Sequence, residues 1–279
     1  MVAIFQDRRD AGRALVQVLR DQLRDDLSRQ DAIVLALPRG GVPVAFEVAQ
    51  ELNLPLDVFV VRKLGVPGQE ELAMGAVASG GLVVMQDEVV RAFHIRPEVI
   101  DSVAARELQE IARRETAYRE GGLPAHLHGR SVILIDDGLA TGATMRAAAR
   151  ALHPLAQRLI VAVPVAARST CDDLRSEVGQ LVCLQTPEQF HAVGEFYRNF
   201  DQTTDDEVRA FLARAREHAP SARDSSSGYA MVSTGTSEPS AACPFQHFLV
   251  DGITGQGIHL FKEDLSLRGE LVRAALRAV

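Results

Sequence analysis

Apolar residues recur along this chain with two alternating periods, which predict helices and strands in turn. Leucines at every fourth position among charged residues predict an amphipathic helix over residues 11–27. The apolar run at residues 32–37 predicts a buried strand, and Val44, Val48 and Leu52 have the spacing of a helix that follows it. A strand, a glycine loop and a helix in this order are typical of parallel α/β sheets.

The same two periods continue through residue 214. A second strand is predicted at residues 56–61, followed by Arg62, Lys63 and an irregular segment at 64–71. Strands at 73–78 and 82–85 are predicted to pair across a turn at Gly80 and Gly81. Further helices are predicted at residues 97–119, 145–152, 169–178 and 205–214, and strands at 131–135, 159–165 and 181–184. The charge run of the 97–119 helix is expected to be a solvated face. The fold class expected is α/β: a mostly parallel twisted sheet flanked by helices, Rossmann-like, with a small hood and a C-terminal appendage.

Composition divides the chain into three parts. Residues 1–217 carry the strand and helix patterns and form one predicted α/β domain. Residues 218–242 are dense in Ser, Ala, Gly, Thr and Pro, which predicts a linker because such a segment buries too little apolar surface to fold. Residues 243–279 are predicted to be a small C-terminal extension that ends in a short helix.

Bulk composition excludes several classes of function. Of the 279 residues, 47% are hydrophobic, yet no apolar run reaches the roughly eighteen residues of a membrane span, and no secretory signal is recognisable. The three cysteines form no CxxC pair, so neither a disulfide framework nor a zinc site is expected. A net charge of -7 argues against nucleic-acid binding. We therefore expect a cytoplasmic protein that binds neither membranes nor nucleic acids.

Three loops are expected to meet at the carboxyl edge of the parallel sheet, after residues 37, 61 and 135. The third loop joins Asp136 and Asp137 to a Thr-Gly-Ala-Thr sequence at a helix start. Backbone N–H groups beside glycine, hydroxyl groups and the amino end of a helix all favour a phosphate. Adjacent carboxylates are suited to a vicinal diol, or to a Mg²⁺ ion already bound by substrate phosphates and water. The plainer alternative is a capped helix after an ordinary strand.

An apolar strand followed by Asp-Asp and then Thr-Gly-x-Thr resembles the phosphoribosyl pyrophosphate (PRPP) motif of the type I phosphoribosyltransferases. The resemblance covers residues 5–215 and is strongest to bacterial members that share Leu-Pro-Arg-Gly-Gly and Asp-Asp-Gly-Leu-Ala-Thr-Gly-Ala-Thr. It implies a pentosyltransferase of nucleotide metabolism, a glycosyltransferase in which a nitrogen nucleophile displaces Mg-pyrophosphate from the ribose C1. Charge stabilisation dominates such a reaction.

The resemblance also assigns roles to individual residues. PRPP would be bound by Asp136, Asp137, Gly138, Leu139, Ala140, Thr141, Gly142, Ala143 and Thr144. Pyrophosphate would be bound by Pro38, Arg39, Gly40, Gly41, Arg62 and Lys63. Catalytic roles fall to Asp136, Asp137, Lys63 and Arg39, with Glu70 or Glu71 as a candidate to assist the acceptor. The implied cofactor is Mg²⁺, held mainly through PRPP and bridged by water to Asp136 and Asp137.

Two departures from the family pattern leave the acceptor open. Enzymes for 6-oxopurines carry an Asp directly before the Thr-Gly, where this chain has Ala140. The segment at 64–71 is also shorter than the hydroxyl-rich mobile loop of well-studied members, which puts water exclusion in doubt. Three aromatic residues, Phe190, Phe196 and Tyr197, are candidates to stack a nucleobase, but core packing is the favoured interpretation.

Three functions compete at this level. The first is transfer of the phosphoribosyl group to an unidentified nitrogenous, nucleobase-like acceptor. The second is a non-catalytic PRPP or nucleotide sensor that regulates a partner, and the third is a PRPP-dependent subunit whose tail docks another protein. A homodimer is one option for its assembly.

Overall fold

The structure is a computed structural model that describes residues 4–23, 32–119 and 127–218. Its helices are α1 (Arg8–Gln22), α2 (Gly41–Leu52), α3 (Asp87–Ala92), α4 (Pro97–Arg119), α5 (Ala143–Leu152), α6 (Arg168–Glu177) and α7 (Asp205–His218). Its strands are β1 (Ala32–Ala36), β2 (Leu56–Val58), β3 (Val61–Val66), β4 (Gln69–Ala78), β5 (Leu82–Met85), β6 (Ser131–Ile135), β7 (Arg158–Val165) and β8 (Gln180–Gln185). Short 3₁₀ turns occupy Ser79–Gly81 and Val193–Phe196.

Five strands form a parallel sheet in the order β2-β1-β6-β7-β8. Every residue of β1 and β6 is buried, because α1, α2 and α7 pack on one face of the sheet and α5 and α6 on the other. Burial on both faces explains why these strands are continuous apolar runs. The predicted fold class is confirmed. Since β1 and β6 are neighbours, the loops that follow them leave the same edge side by side.

A second, antiparallel sheet of three strands, β3-β4-β5, forms the small hood with α3 and α4. The apolar run predicted as one strand at 56–61 is divided: β2 ends at Val58, and Val61 begins β3 of the other sheet. The prediction of an irregular segment at 64–71 is wrong, because β3 and β4 form a hairpin there. The predicted pairing of the next two strands is confirmed.

Alternation of apolar residues explains the hairpin. Leu64, Val66, Leu72 and Met74 pack into one cluster with Ile111 of α4, while the alternate residues Lys63 and Glu71 are exposed. The turn lies at Pro67-Gly68, where Gly68 has a φ of 79°. A Pro-Gly dipeptide between alternating segments is a turn signal that sequence reasoning missed.

Element boundaries agree closely elsewhere. The helix at 97–119 and the strand at 131–135 have the predicted bounds, whereas α1 begins earlier, at Arg8, because the Asp7 side chain accepts a hydrogen bond from the Asp10 N–H at 2.8 Å. The charge run of α4 is not wholly solvated as predicted. Glu107 and Arg119 are buried.

Those two charged residues of α4 have specific partners. Glu107 accepts from Arg62 of β3, with Nε and Oε2 2.9 Å apart, and the Arg119 Nε lies 3.1 Å from the Oδ1 of Asp57 in β2. Burial of a charge requires such pairing. The two ion pairs therefore connect α4 to the edge strand of each sheet.

Within the described residues, no helix has both the length and the apolar character that crossing a membrane requires. The predicted linker and C-terminal extension fall on residues that the structure does not describe, apart from His218, which ends α7. Those predictions of domain organisation stay predictions.

Candidate functional site

The 136–144 loop follows β6 and is held in place by contacts with β7 and α6. The Leu139 N–H donates to the Val165 carbonyl at 3.0 Å, and the Thr170 hydroxyl of α6 donates to the Ala140 carbonyl at 2.5 Å. A side chain at Gly138 would press on Val165, which accounts for glycine there. These contacts fix the loop's backbone before any ligand binds.

The second half of this loop forms the amino end of α5. Gly142 adopts a left-handed conformation, with a φ of 69°, that turns the chain into the helix. Thr141, Ala143 and Thr144 are exposed around that turn. A helix start with exposed hydroxyl and N–H donors is an environment that favours a phosphate.

The loop at residues 38–41, which joins β1 to α2, lies directly against the 136–144 loop. A Cβ atom at Gly40 would overlap the carboxylate of Asp137, and one at Gly41 would lie 2.9 Å from the Asp136 Cα. The peptide bond between Pro38 and Arg39 is cis. Two of the three predicted loops therefore meet around the pair of carboxylates.

The two carboxylates occupy different electrostatic environments. The Asp136 Oδ1 accepts the Asp137 N–H at 2.9 Å, and burial together with the adjacent Asp137 carboxylate raises the pKa of Asp136 well above its usual range. Burial also raises the pKa of Asp137, but a hydrogen bond from Arg8 opposes that rise. The Arg8 Nε lies 2.8 Å from Asp137 Oδ2. The negative charge of Asp137 is thus better compensated than that of Asp136.

Arg39 lies at the mouth of the 38–41 loop and is one-third exposed. One guanidinium nitrogen lies 3.7 Å from the Asp205 Oδ1 of α7, which also accepts the Tyr118 hydroxyl at 2.9 Å. Burial and this hydrogen bond raise the pKa of Tyr118 to about 12. In this structure Arg39 is paired with the Asp205 carboxylate.

Arg62 and Lys63 lie inside β3, so they face opposite sides of the hood sheet. Arg62 lies on the face that packs on α4. Lys63 lies on the face of Val61, which packs into the cluster that contains Met145 of α5. The Lys63 Nζ is 3.2 Å from the Glu71 Oε2, and both side chains are exposed.

Glu70, the other candidate to assist the acceptor, accepts the Gly68 N–H at 3.2 Å in the hairpin turn. The structure therefore gathers the 38–41 and 136–144 loops at the carboxyl edge of the sheet. Arg62, Lys63, Glu70 and Glu71 lie on the hood sheet.

Two residues make contacts with Asp137 that the sequence did not predict. Arg8 is separated from it by 129 positions and Tyr197 by 60; the Tyr197 hydroxyl donates to the Asp137 carbonyl at 2.6 Å. Burial and the nearby Asp137 carboxylate raise the pKa of Tyr197. Neither residue belongs to a local motif that includes Asp137, so no sequence signal indicated these contacts.

The aromatic residues near position 195 belong to the core. Phe196 and Tyr197 are buried with Phe5, and Phe190 stacks on Phe196 with ring centroids 5.3 Å apart. The structure thus favours the packing interpretation over a nucleobase stack for this group. Its role here is to support the loop that carries Tyr197.

The described residues contain no group of three or more His, Cys, Asp or Glu side chains placed to hold a metal ion. Asp136 and Asp137 provide two adjacent carboxylates, which is too few for a site built by protein alone. They do fit an ion that takes most of its ligands from phosphate oxygens and water, as Mg²⁺ commonly does.

Together, a parallel α/β sheet, a glycine loop against two carboxylates and an exposed helix start place the chain in the class of α/β proteins whose loops meet at the carboxyl edge of the sheet. Residues 7–201 match the family model of the phosphoribosyl transferase domain. The chain belongs to the phosphoribosyl transferase family.

Relatives agree with that assignment. Two curated proteins from strains of Mycobacterium tuberculosis, each named "Putative phosphoribosyl transferase", are 48% identical over 213 residues, which is 76% of this chain and 47% of theirs. The chain thus spans about half the length of these relatives. The solved structure of the protein TT1426 from Thermus thermophilus is 39% identical, with a TM-score of 0.68 over 75% of this chain and 98% of that one.

Proposed function

We propose that this protein transfers the 5-phosphoribosyl group of PRPP to a nitrogenous, nucleobase-like acceptor and releases pyrophosphate. In this reaction the acceptor nitrogen forms a bond to the ribose C1 while the bond from C1 to the pyrophosphate oxygen breaks, with inversion. The acceptor's proton passes to a base or to water. Because the chain covers only about half the length of its curated relatives, this activity of the whole protein is proposed and is not inferred from their names.

The observation that carries the proposal is the contact between the two loops. Gly40 and Gly41 lie against Asp137 and Asp136, so a pyrophosphate on the first loop and a ribose on the second would be adjacent. The amino end of α5 then takes the 5-phosphate. This order of groups, pyrophosphate, ribose diol and phosphate, is the order in which PRPP carries them.

Within the proposed pyrophosphate loop, one glycine N–H is already bonded. The Gly41 N–H already donates to the Leu37 carbonyl at 3.1 Å. Pyrophosphate would therefore be bound by the Gly40 N–H and the Arg39 guanidinium. Because Gly40 and Gly41 have no side chains, the pyrophosphate could approach the backbone closely. Lys63, on the hood face nearest α5, would contribute a further positive charge to the bound pyrophosphate.

Magnesium is proposed as the cofactor. Asp136 and Asp137 would hold it through bridging water, and the ion would neutralise negative charge on the departing pyrophosphate. The two carboxylates themselves accept hydrogen bonds from the ribose hydroxyls near the developing positive charge at C1. Chelation of Mg²⁺ with EDTA is expected to weaken PRPP binding, measured by calorimetry.

Ala140 bears on the acceptor. A carboxylate at this position would be available to a purine N7, and alanine offers no proton. We therefore expect hypoxanthine and guanine to be among the poorest acceptors. Adenine, pyrimidine bases and simple amines should be tested as acceptors alongside them.

Binding and turnover measured together test the proposal. Calorimetry with Mg²⁺ gives the PRPP affinity, and release of pyrophosphate is then followed across the acceptor panel. PRPP binding with turnover on one acceptor supports the transferase. Tight binding with no turnover on any acceptor supports the sensor, and no PRPP binding contradicts both.

Thr170 supplies a smaller prediction. Thr170→Val keeps the shape of the side chain but removes the hydroxyl that donates to the Ala140 carbonyl. Since a neutral hydrogen bond contributes about 1 kcal/mol, we expect PRPP affinity to fall roughly fivefold through a looser loop. Thr170→Ser, which retains the hydroxyl, is the matched control; an equal loss in both variants would contradict the role of this hydrogen bond.

A further inference from the structure

Arg8, at the first turn of α1, is committed to three partners. Its Nε donates to Asp137 Oδ2 at 2.8 Å, a terminal nitrogen donates to the Asp201 carbonyl at 2.7 Å, and its guanidinium carbon lies 3.8 Å from the centre of the Phe200 ring. The Arg8 side chain is 11% exposed and that of Asp137 is 14% exposed. An ion pair so well enclosed has a defined geometry rather than a fluctuating one.

The segment that carries Arg8 is itself anchored. The Phe5 N–H donates to the Phe196 carbonyl at 3.0 Å, and the Arg198 N–H donates back to the Phe5 carbonyl at 2.9 Å. The Phe5 and Tyr197 rings lie 5.5 Å apart. Residues 4–8 and 196–201 therefore form one unit, which contacts Asp137 through the Arg8 guanidinium and the Tyr197 hydroxyl.

We propose that Arg8 is a positioning residue for Asp137, holding one carboxylate oxygen so that the other is presented to the ribose hydroxyls of PRPP. This inference rests on the proposed function. Arg8 acts through Asp137, because two of its donors are already bonded and its side chain is nearly enclosed.

Charge explains why an arginine is needed at this place. Asp137 lies next to Asp136, and two buried carboxylates in adjacent positions repel each other. Arg8 supplies a positive charge to Asp137 Oδ2, the same oxygen that lies against Gly40, whose missing side chain leaves room for the carboxylate. Its planar fork bonds Asp137 and the Asp201 carbonyl at once, which a lysine ammonium would not reproduce.

The ligands that separate a positioning role from a general one are ribose 5-phosphate and inorganic pyrophosphate. Ribose 5-phosphate requires Asp137, whereas pyrophosphate is assigned to Arg39 and Gly40. In Arg8→Ala we expect affinities for PRPP and ribose 5-phosphate, measured by calorimetry with Mg²⁺, to fall about tenfold. Affinity for pyrophosphate, measured without Mg²⁺ so that Asp137 takes no part through the ion, should remain within about twofold of the wild-type value.

Two further variants complete the experiment. Arg8→Lys retains the charge but loses the fork, so we expect an intermediate loss for the two ribose ligands and a normal melting temperature. Arg20→Ala removes an exposed arginine from the same helix, where it pairs with Glu51 at 3.2 Å, and should bind all three ligands normally.

The outcomes are distinguishable. Wild-type affinity for ribose 5-phosphate in both Arg8 variants would overturn the positioning role. An equal loss for pyrophosphate would overturn it too, since it would show general damage to the site. If the wild-type protein itself binds pyrophosphate but neither ribose ligand, the proposed function fails, independently of Arg8.

Discussion

Asp136→Asn combined with Asp137→Asn is expected to weaken PRPP binding by at least about 100-fold while the protein stays folded. Hydrogen bonds to charged groups contribute about 1.5–3 kcal/mol each, and 1.4 kcal/mol corresponds to a factor of ten. Folding is expected to tolerate the change for two reasons. Burial and the neighbouring carboxylate raise the pKa of Asp136, so the charge there is costly, and an asparagine at position 137 still offers an oxygen that accepts from the Arg8 Nε. Calorimetry with Mg²⁺ and thermal melting measure the two effects.

The control for this double substitution neutralises two acids elsewhere. Asp87 and Glu88 are exposed on α3, which packs with α4 on the far face of the hood sheet. Asp87→Asn with Glu88→Gln removes the same charge and should leave PRPP affinity unchanged. Unchanged affinity in the Asp136 and Asp137 variant would refute the site assignment, and unfolding of that variant would refute the account of its stability.

Gly41→Ala is expected to separate the two loops and to lower PRPP affinity about 100-fold, the scale of loss expected when binding groups shift by an ångström. The added Cβ would lie 2.7 Å from the Ile135 carbonyl oxygen and 2.9 Å from the Asp136 Cα. Both are backbone atoms, so neither moves aside easily. Overpacking of this kind costs about 1–3 kcal/mol of folding free energy, which chemical denaturation would detect.

Helix propensity makes this result diagnostic. Gly41 is the first residue of α2, where replacing glycine by alanine should not by itself destabilise the helix, since alanine has the higher helix propensity. A measured loss therefore reports the clash. Gly179→Ala is the matched control, since its Cβ would lie 3.8 Å from the Leu159 carbonyl oxygen, an ordinary contact. Equal behaviour of the two variants would contradict the close approach of the loops.

Local sequence patterns were sufficient to predict an element where it is buried on both faces or has one continuous apolar face. The strand Ser131–Ile135 and the helix Pro97–Arg119 agree with prediction because a continuous apolar run and a helical period each have one plausible structure. The hairpin at residues 64–71 was missed because one of its faces is mostly exposed and because the charged residues Arg62 and Lys63 precede it in β3. Its Pro67-Gly68 turn was the available signal.

The parallel α/β fold and the loop with two carboxylates and a helix start could be predicted from the sequence, since these depend on residues close together along the chain. The surroundings of that loop could be read only from the three-dimensional structure. It set Gly40 and Gly41 against the carboxylates, brought Arg8 to Asp137 across 129 positions, and paired Lys63 with Glu71 on the hood. The physical reason is that counter-charges and close backbone contacts depend on position in space, which the order of residues does not reveal.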